Sequence, residues 1–160
     1  MDPIVVGIIG VAAAALGFLI GYILRKKLAE KAIGSANSAT VTYDMTEEAL
    51  KCKVTGNDAL FYLSFSQSVT TLLADDYKTL EITYKCPKDT SSKATMMQWF
   101  FMVGNVMDPT EQCGLKKGLT RDGEYHTLTI DLESLSYWNG TVNSLRFDFF
   151  DQSEVGDTMY

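Results

Sequence analysis

Histidine is almost missing from this sequence, with His126 alone, and cysteine is confined to Cys52, Cys86 and Cys113. One histidine and no C-x-x-C spacing leave no ligand set for a zinc site. Three cysteines at wide, irregular intervals do not make a disulfide framework, so buried free thiols are expected. There is no G-x-S-x-G, no P-loop and no Cys–His pairing. Adjacent acids such as Glu47-Glu48 and Asp75-Asp76 read as solvated turn charges, whereas glycoside cleavage needs two carboxyls held apart across a cleft. The expectation is a protein that is not an enzyme and carries no cofactor.

Basic clusters are also lacking from most of the chain. Residues 37–160 hold ten basic and eighteen acidic side chains, a balance of −8, and no Lys/Arg patch that could neutralise phosphates. A nucleic-acid partner is therefore excluded. Residues 1–36 differ, with Arg25, Lys26, Lys27 and Lys31 against Asp2 and Glu30, a balance of +2.

What those first residues do have is a hydrophobic run. Ile4 to Leu24 is 21 consecutive uncharged residues, which as a helix reach roughly 31 Å, the thickness of a bilayer core. A lone segment in hydrocarbon must satisfy its own backbone hydrogen bonds, so helix is expected. A cleaved secretory signal fits less well. Met1-Asp2-Pro3 supplies no positive side chain, the apolar core is long, and Arg25–Lys31 precedes any small-residue cleavage site. The reading is a single-pass membrane anchor, with the lipid bilayer as its partner. Arg25, Lys26 and Lys27 directly after the span place the rest of the chain in the cytoplasm by the positive-inside rule. Gly17 and Gly21 form a G-x-x-x-G, the spacing through which two membrane helices pack into a homodimer. Arg25–Ile33 continues as helix, and Gly34-Ser35-Ala36-Asn37-Ser38 reads as a stop and a linker.

From residue 39 the pattern turns to period two. Strand-length runs follow one another: Thr40–Met45, Leu50–Val54, Ala59–Phe65, Leu80–Cys86, Met96–Val103, His126–Leu132 and Ser144–Phe149, with Thr158–Tyr160 starting another. Turn signals separate them, among them Gly56-Asn57-Asp58, Asp122-Gly123 and Asn139-Gly140. A helical turn fits near Ser68–Asp75. Many short strands without a long helix predict an all-β antiparallel β-sandwich behind the transmembrane helix, with 1–36 as anchor and 37–160 as the β domain.

Two resemblances attach to these halves. Arg25-Lys26-Lys27 followed by Ala29-Glu30-Lys31-Ala32-Ile33-Gly34-Ser35-Ala36 resembles the amino-terminal anchor of bacterial ribonuclease Y. That family continues into a coiled coil, a KH domain and a metal-dependent HD phosphodiesterase, none of which follows here, so the resemblance implies an anchor or scaffold without nuclease activity. Further on, Leu72–Lys85, Asp122–Leu132, Tyr137–Phe150 and Gly156–Tyr160 are similar to a jelly-roll domain of bacterial surface and secreted proteins. That domain is related to galactose-binding-like and carbohydrate-binding modules. Here Phe149 replaces the proline that usually closes the "RFDP" turn, and the last strand lacks its usual ending, which predicts a short strand and a poorly protected edge.

The jelly-roll resemblance implies an extracellular β domain, against the cytoplasmic placement from the lysines. It also implies glycan as a partner. Trp99, Tyr137, Trp138, Asn139 and Arg146 are the candidate ligand-binding residues: aromatic rings stack on sugar faces, and amide or guanidinium groups bond to hydroxyls. Trp99 alternates with core residues, and Trp138 adjoins the Asn-Gly turn, so both have packing roles to compete with. A structural calcium suits a jelly roll, but no spacing singles out its ligands and there is no EF-hand loop.

Overall fold

The computed structural model describes residues 33–65, 72–106, 108–110 and 113–160. The expected anchor helix at Ile4–Leu24, with Gly17 and Gly21, lies outside them. Among the described residues, no helix is long and apolar enough to cross a membrane.

Ten strands are formed among these residues: β1 (Ile33–Asn37), β2 (Ala39–Asp44), β3 (Ala49–Val54), β4 (Leu60–Ser64), β5 (Thr79–Lys85), β6 (Met96–Val103), β7 (Gly114–Gly118), β8 (Tyr125–Asp131), β9 (Val142–Asp148) and β10 (Thr158–Met159). A 3-10 turn spans Ala74–Asp76; the first half of the helical turn expected at Ser68–Asp75 lies outside the described residues. One sheet runs β1-β4-β9-β6-β7, with every pairing antiparallel. Opposite it lie β10-β3-β2 and β5-β8. Reciprocal backbone bonds between Lys85 and Tyr160, at 2.8 and 2.9 Å, join these two pieces through the end of β10. The chain changes layer at nearly every connection, as a jelly roll requires.

Period-two alternation decides what lies between the layers. Met97, Trp99, Phe101 and Val103 of β6, Phe61 of β4 and Leu145 and Phe147 of β9 enter one core from the first sheet. Cys52 and Val54 of β3, Tyr84 of β5, Ile130 of β8 and Met159 of β10 enter it from the other. Cys52, Cys86 and Cys113 are all buried free thiols. Burial pushes the Cys52 thiol up to about 12, so it stays protonated and unreactive.

Three expectations need correction. Gly34–Asn37 is not linker: it forms most of β1, in which Ser35, Ala36 and Asn37 pair with Tyr62, Phe61 and Leu60 of β4 and the register shifts at Gly34. Gly114–Gly118 was not expected as a strand, yet it pairs with Met96–Phe100 as β7. Both are the edges of the first sheet, where one row of backbone groups has no ladder and side chains are poor strand formers or lysines. Thirdly, β10 is not an exposed edge. It is hydrogen-bonded to β3 on one side, and Tyr160 bonds to Lys85 on the other.

The approach to β10 is fastened by Asp157, a buried carboxylate. Its Oδ1 accepts from the Ser91 N–H (2.8 Å), and its Oδ2 from the Ser91 hydroxyl (2.6 Å) and the Glu154 N–H (2.7 Å). Burial works to raise this carboxyl, but the bonds from Glu154 and Ser91 outweigh it and hold the group below its ordinary value. A lowered carboxyl contributes its full stability above the unfolded value, about 4, and loses it as pH falls through the folded one. Asp157→Ala is expected to cost about 2–3 kcal/mol at pH 7. Urea unfolding of both proteins at pH 7 and pH 3 checks this, with the gap narrowing at pH 3.

Candidate functional site

The outer face of the first sheet is where its central strand departs from an ordinary sandwich surface. Residues of β6 that point away from the core are buried too: Gln98, Phe100 and Met102 are 6%, 6% and 1% exposed. Phe100, Met102 and Cys113 form a second apolar cluster, bordered by Tyr62, Val106 and Tyr137. Beside this cluster opens a cleft of about 730 Å³. Gln98, Phe100, Lys116, Arg146, Asp148 and Asp151 are among its lining residues.

Register arranges its floor in rows. Gln98 lies opposite Lys116 of β7 on one side and Asp148 of β9 on the other. Two residues along, Phe100 lies between Gly114 and Arg146, and Arg146 faces Tyr62 of β4. Gly114 makes room here. A Cβ at that position would stand 3.2 Å from the Phe100 ring, close enough that the ring would have to shift, and 3.4 Å from Gln98 Nε2, in contact with it. With glycine, the ring and the amide both keep their places.

Arg146 and Asp148 form a forked ion pair, Nε to Oδ1 at 2.6 Å and Nη2 to Oδ2 at 2.7 Å. Arg146 Nη2 also reaches Asp58 Oδ1 at 3.1 Å, and its guanidinium carbon lies 5.0 Å from the centre of the Phe100 ring. Asp58 is brought there by a turn in which its φ is +58°, a left-handed conformation that Asp tolerates better than most residues. Burial raises the Asp148 carboxyl and prevails over the Arg146 hydrogen bonds that lower it. The Arg146 guanidinium is in turn held on the charged side by Asp148.

Two buried polar atoms along this cleft have no hydrogen-bond partner among the described residues: the donor Gln98 Nε2 and the acceptor Asp151 Oδ1. Groups of this kind take a water molecule or a ligand group as partner. Lys93 is occupied by Glu154 at 3.0 Å. Lys116 has no ion pair among the described residues, and its charge is felt at Asp148.

The five residues named from the sequence are spread over the molecule. Arg146 alone lines the cleft. Trp99 is 4% exposed and stacks on Phe147 in the core, centroids 3.8 Å apart. Trp138 Nε1 donates to the carbonyls of Ala74 (2.8 Å) and Tyr77 (2.9 Å), and its ring meets Phe101 edge-on at 5.6 Å. It fastens the 3-10 turn and lines a small apolar pocket with Leu72, Tyr77 and Leu132. Tyr137 packs against both apolar clusters, and burial raises its hydroxyl. Asn139 sits in the turn before Gly140, where Gly104 and Gly140, with φ of +60° and +87°, come so close that a Cβ on Gly140 would lie 3.2 Å from Gly104 Cα. Gln98, Lys116 and Asp151 carried no distinguishing signal in sequence. Among the described residues, no group of His, Cys, Asp and Glu is placed to hold a metal ion.

Breaking the Arg146–Asp148 fork leaves a carboxylate in a poorly solvated place. Arg146→Leu is expected to destabilise the fold by about 3 kcal/mol at pH 7, and Arg146→Leu with Asp148→Leu by clearly less. Because an acid with a raised folded value binds its proton more readily in the folded state, the single variant's deficit shrinks as pH falls. Chemical denaturation of the three proteins at pH 7 and pH 4.5 measures both effects.

No family model matches the chain, over the anchor-like residues or over the β-rich part. No curated protein matches it either. Among solved structures, similarity is found to a low-affinity xylan-binding module, CBM86, from Roseburia intestinalis, with 9% identity, a TM-score of 0.48, and coverage of 79% of this chain and 80% of that one. A second is the CBM1 module of BiXyn10A in its apo form, with 10% identity, a TM-score of 0.42, and coverage of 82% and 87%.

Proposed function

We propose that this protein is a non-catalytic carbohydrate-binding module whose ligand lies in the cleft over β6, β7 and β9. The observation that carries the reading is the pair of unmatched buried atoms, Gln98 Nε2 and Asp151 Oδ1. One needs an acceptor and the other a donor. A hydroxyl group is both, and a sugar presents several on a rigid ring. Supplying these partners recovers the cost of two buried polar groups left unpaired, which favours a ligand dense in hydroxyls over an apolar one.

The same geometry argues for binding without catalysis. Two of the cleft's carboxyls, Asp148 and Asp58, are engaged by Arg146; that leaves Asp151, and a single unengaged carboxyl is not the pair that glycoside cleavage needs. Recognition here is by hydrogen bonds rather than stacking, since Arg146 covers a face of Phe100 and the ring is only 6% exposed. The reading rests on the cleft and not on the distant likeness to the xylan-binding module.

The proposal includes a membrane tether, supported by the residue pattern of Ile4–Leu24 and its Arg25-Lys26-Lys27 flank. Self-association through Gly17 and Gly21 belongs to the same reading. The ribonuclease Y-like alternative, a membrane scaffold without a ligand, keeps the tether and loses the cleft's role.

Screening on a glycan array followed by calorimetry tests the binding proposal. Gln98→Leu is expected to weaken the best saccharide at least tenfold, about 1.4 kcal/mol, without lowering the melting temperature. An array with no saccharide bound overturns it. For the tether, the full-length chain is expected in the membrane fraction after an alkaline wash and a chain starting at Ile33 in the supernatant; full-length protein released by the wash counts against it.

A further inference from the structure

The charged side chains that line the cleft do not balance. Lys93 is occupied by Glu154, which leaves the cations Arg146 and Lys116 against the carboxylates Asp58, Asp148 and Asp151. Arg146 bonds to both Asp148 and Asp58, and the charge of Lys116 acts on Asp148. Both cations are thus committed around Asp148. Asp151 is left over. Among the described residues it is in no ion pair, and its buried Oδ1 has no hydrogen-bond partner.

Asp151 stands at one end of the outward row of β6. Its N–H bonds to the Met96 carbonyl, and Met96 is two residues from Gln98, roughly 7 Å along a strand. Opposite Met96 on β7 is Gly118, where a Cβ would meet nothing within 4 Å, so this end of the row is open. Gln98 itself is 6% exposed, and its Nε2 lacks an acceptor. The cleft therefore lacks an acceptor at Gln98 and a donor at Asp151. The donor that suits an unpaired carboxylate best is a cation, since charge-assisted hydrogen bonds are about twice as strong as neutral ones.

Resting on the carbohydrate reading, we propose that the cleft selects a basic saccharide, an amino sugar whose protonated amine donates to Asp151 Oδ1 while a sugar oxygen accepts from Gln98 Nε2. A neutral sugar supplies both hydrogen bonds but leaves the Asp151 carboxylate without a counter-charge. A simple amine supplies the charge, but an ammonium has no acceptor to offer Gln98. An acidic sugar adds a negative group to a cleft already short of positive charge.

Calorimetry on the full chain at pH 5.5, where sugar amines hold their proton, compares oligomers of 2-amino sugars with the same oligomers after N-acetylation, and with an oligolysine. The expected result is at least tenfold tighter binding of one amino-sugar oligomer than of its acetylated form, falling as salt is raised from 20 to 300 mM. Asp151→Asn keeps an acceptor oxygen and removes the charge. It is expected to abolish most of that preference while binding of the acetylated oligomer persists. Glu81→Gln, on the exposed face of β5 in the opposite sheet, is expected to leave the preference intact. Equal binding of amine and acetylated forms, a preference untouched by Asp151→Asn, or oligolysine binding as tightly as the amino sugar overturns the amine assignment while leaving a carbohydrate cleft in place. Failure of every saccharide to bind overturns both.

Discussion

Burial of β6 on both faces is the constraint from which the rest of this structure follows. Seven of its eight residues, Met97 to Val103, are buried. Its inward side chains supply the middle of the sandwich core, and its outward ones, Gln98, Phe100 and Met102, lie beneath a second layer of contacts. A strand in the middle of an antiparallel sheet with one face in water would carry polar residues at alternate positions. Here the outer face is roofed instead, by Tyr62, Val106 and Tyr137 at one end and by the Arg146–Asp148 fork at the other. Where the roof stops, at Gln98, the sheet opens into the cleft.

This arrangement explains why a polar amide can sit at the floor of an otherwise apolar strand. Gln98 continues the outward row of Phe100 and Met102, so it is carried into burial by its neighbours and by Gly114 beside it. Lys116 and Asp148 reach the same row because β7 and β9 flank β6 in register. Three residues far apart in sequence thereby become a single polar line. Arg146 has a further part in holding the site, since it spans Asp148, Asp58 and the Phe100 face at once. It orders the rim as much as it lines it.

The opposite sheet is organised around a different set of charges. Lys85 pairs with Glu47 and lies 5.0 Å from the centres of both the Tyr125 and Tyr160 rings, while Lys51 lies 5.3 Å from that of Tyr160. The Tyr125 hydroxyl donates to Glu47 Oε2 at 3.0 Å. Lys85 is also the residue whose backbone joins β5 to the end of β10. Side-chain and backbone contacts therefore converge where the second sheet would otherwise be split, and Asp157 secures the chain just before it.

The run Met96–Val103 shows how far sequence reaches. Its length and β-rich composition marked β6 with its observed bounds, and the alternating runs of β2, β3, β5 and β8 were legible for the same reason: burial of one face imposes period two on the residues themselves. Free thiols, the Asn139-Gly140 turn and the hydrophobic run Ile4–Leu24 are likewise local properties of the chain. The edges β1 and β7 were not legible, because strands paired on one side need little from their own side chains. Nor was the cleft. Trp99 and Trp138 drew attention as large aromatics, yet Trp99 is buried against Phe147 in the core, and the half-buried Trp138 spends its indole N–H on the Ala74 and Tyr77 carbonyls. Gln98, Lys116 and Asp151 are ordinary residues in sequence. Only strand order and register make them neighbours, and only the packed sheet turns an amide and a carboxylate oxygen into atoms without a partner. Local sequence determined which segments become strands; the pairing of distant strands decided where a ligand could be held.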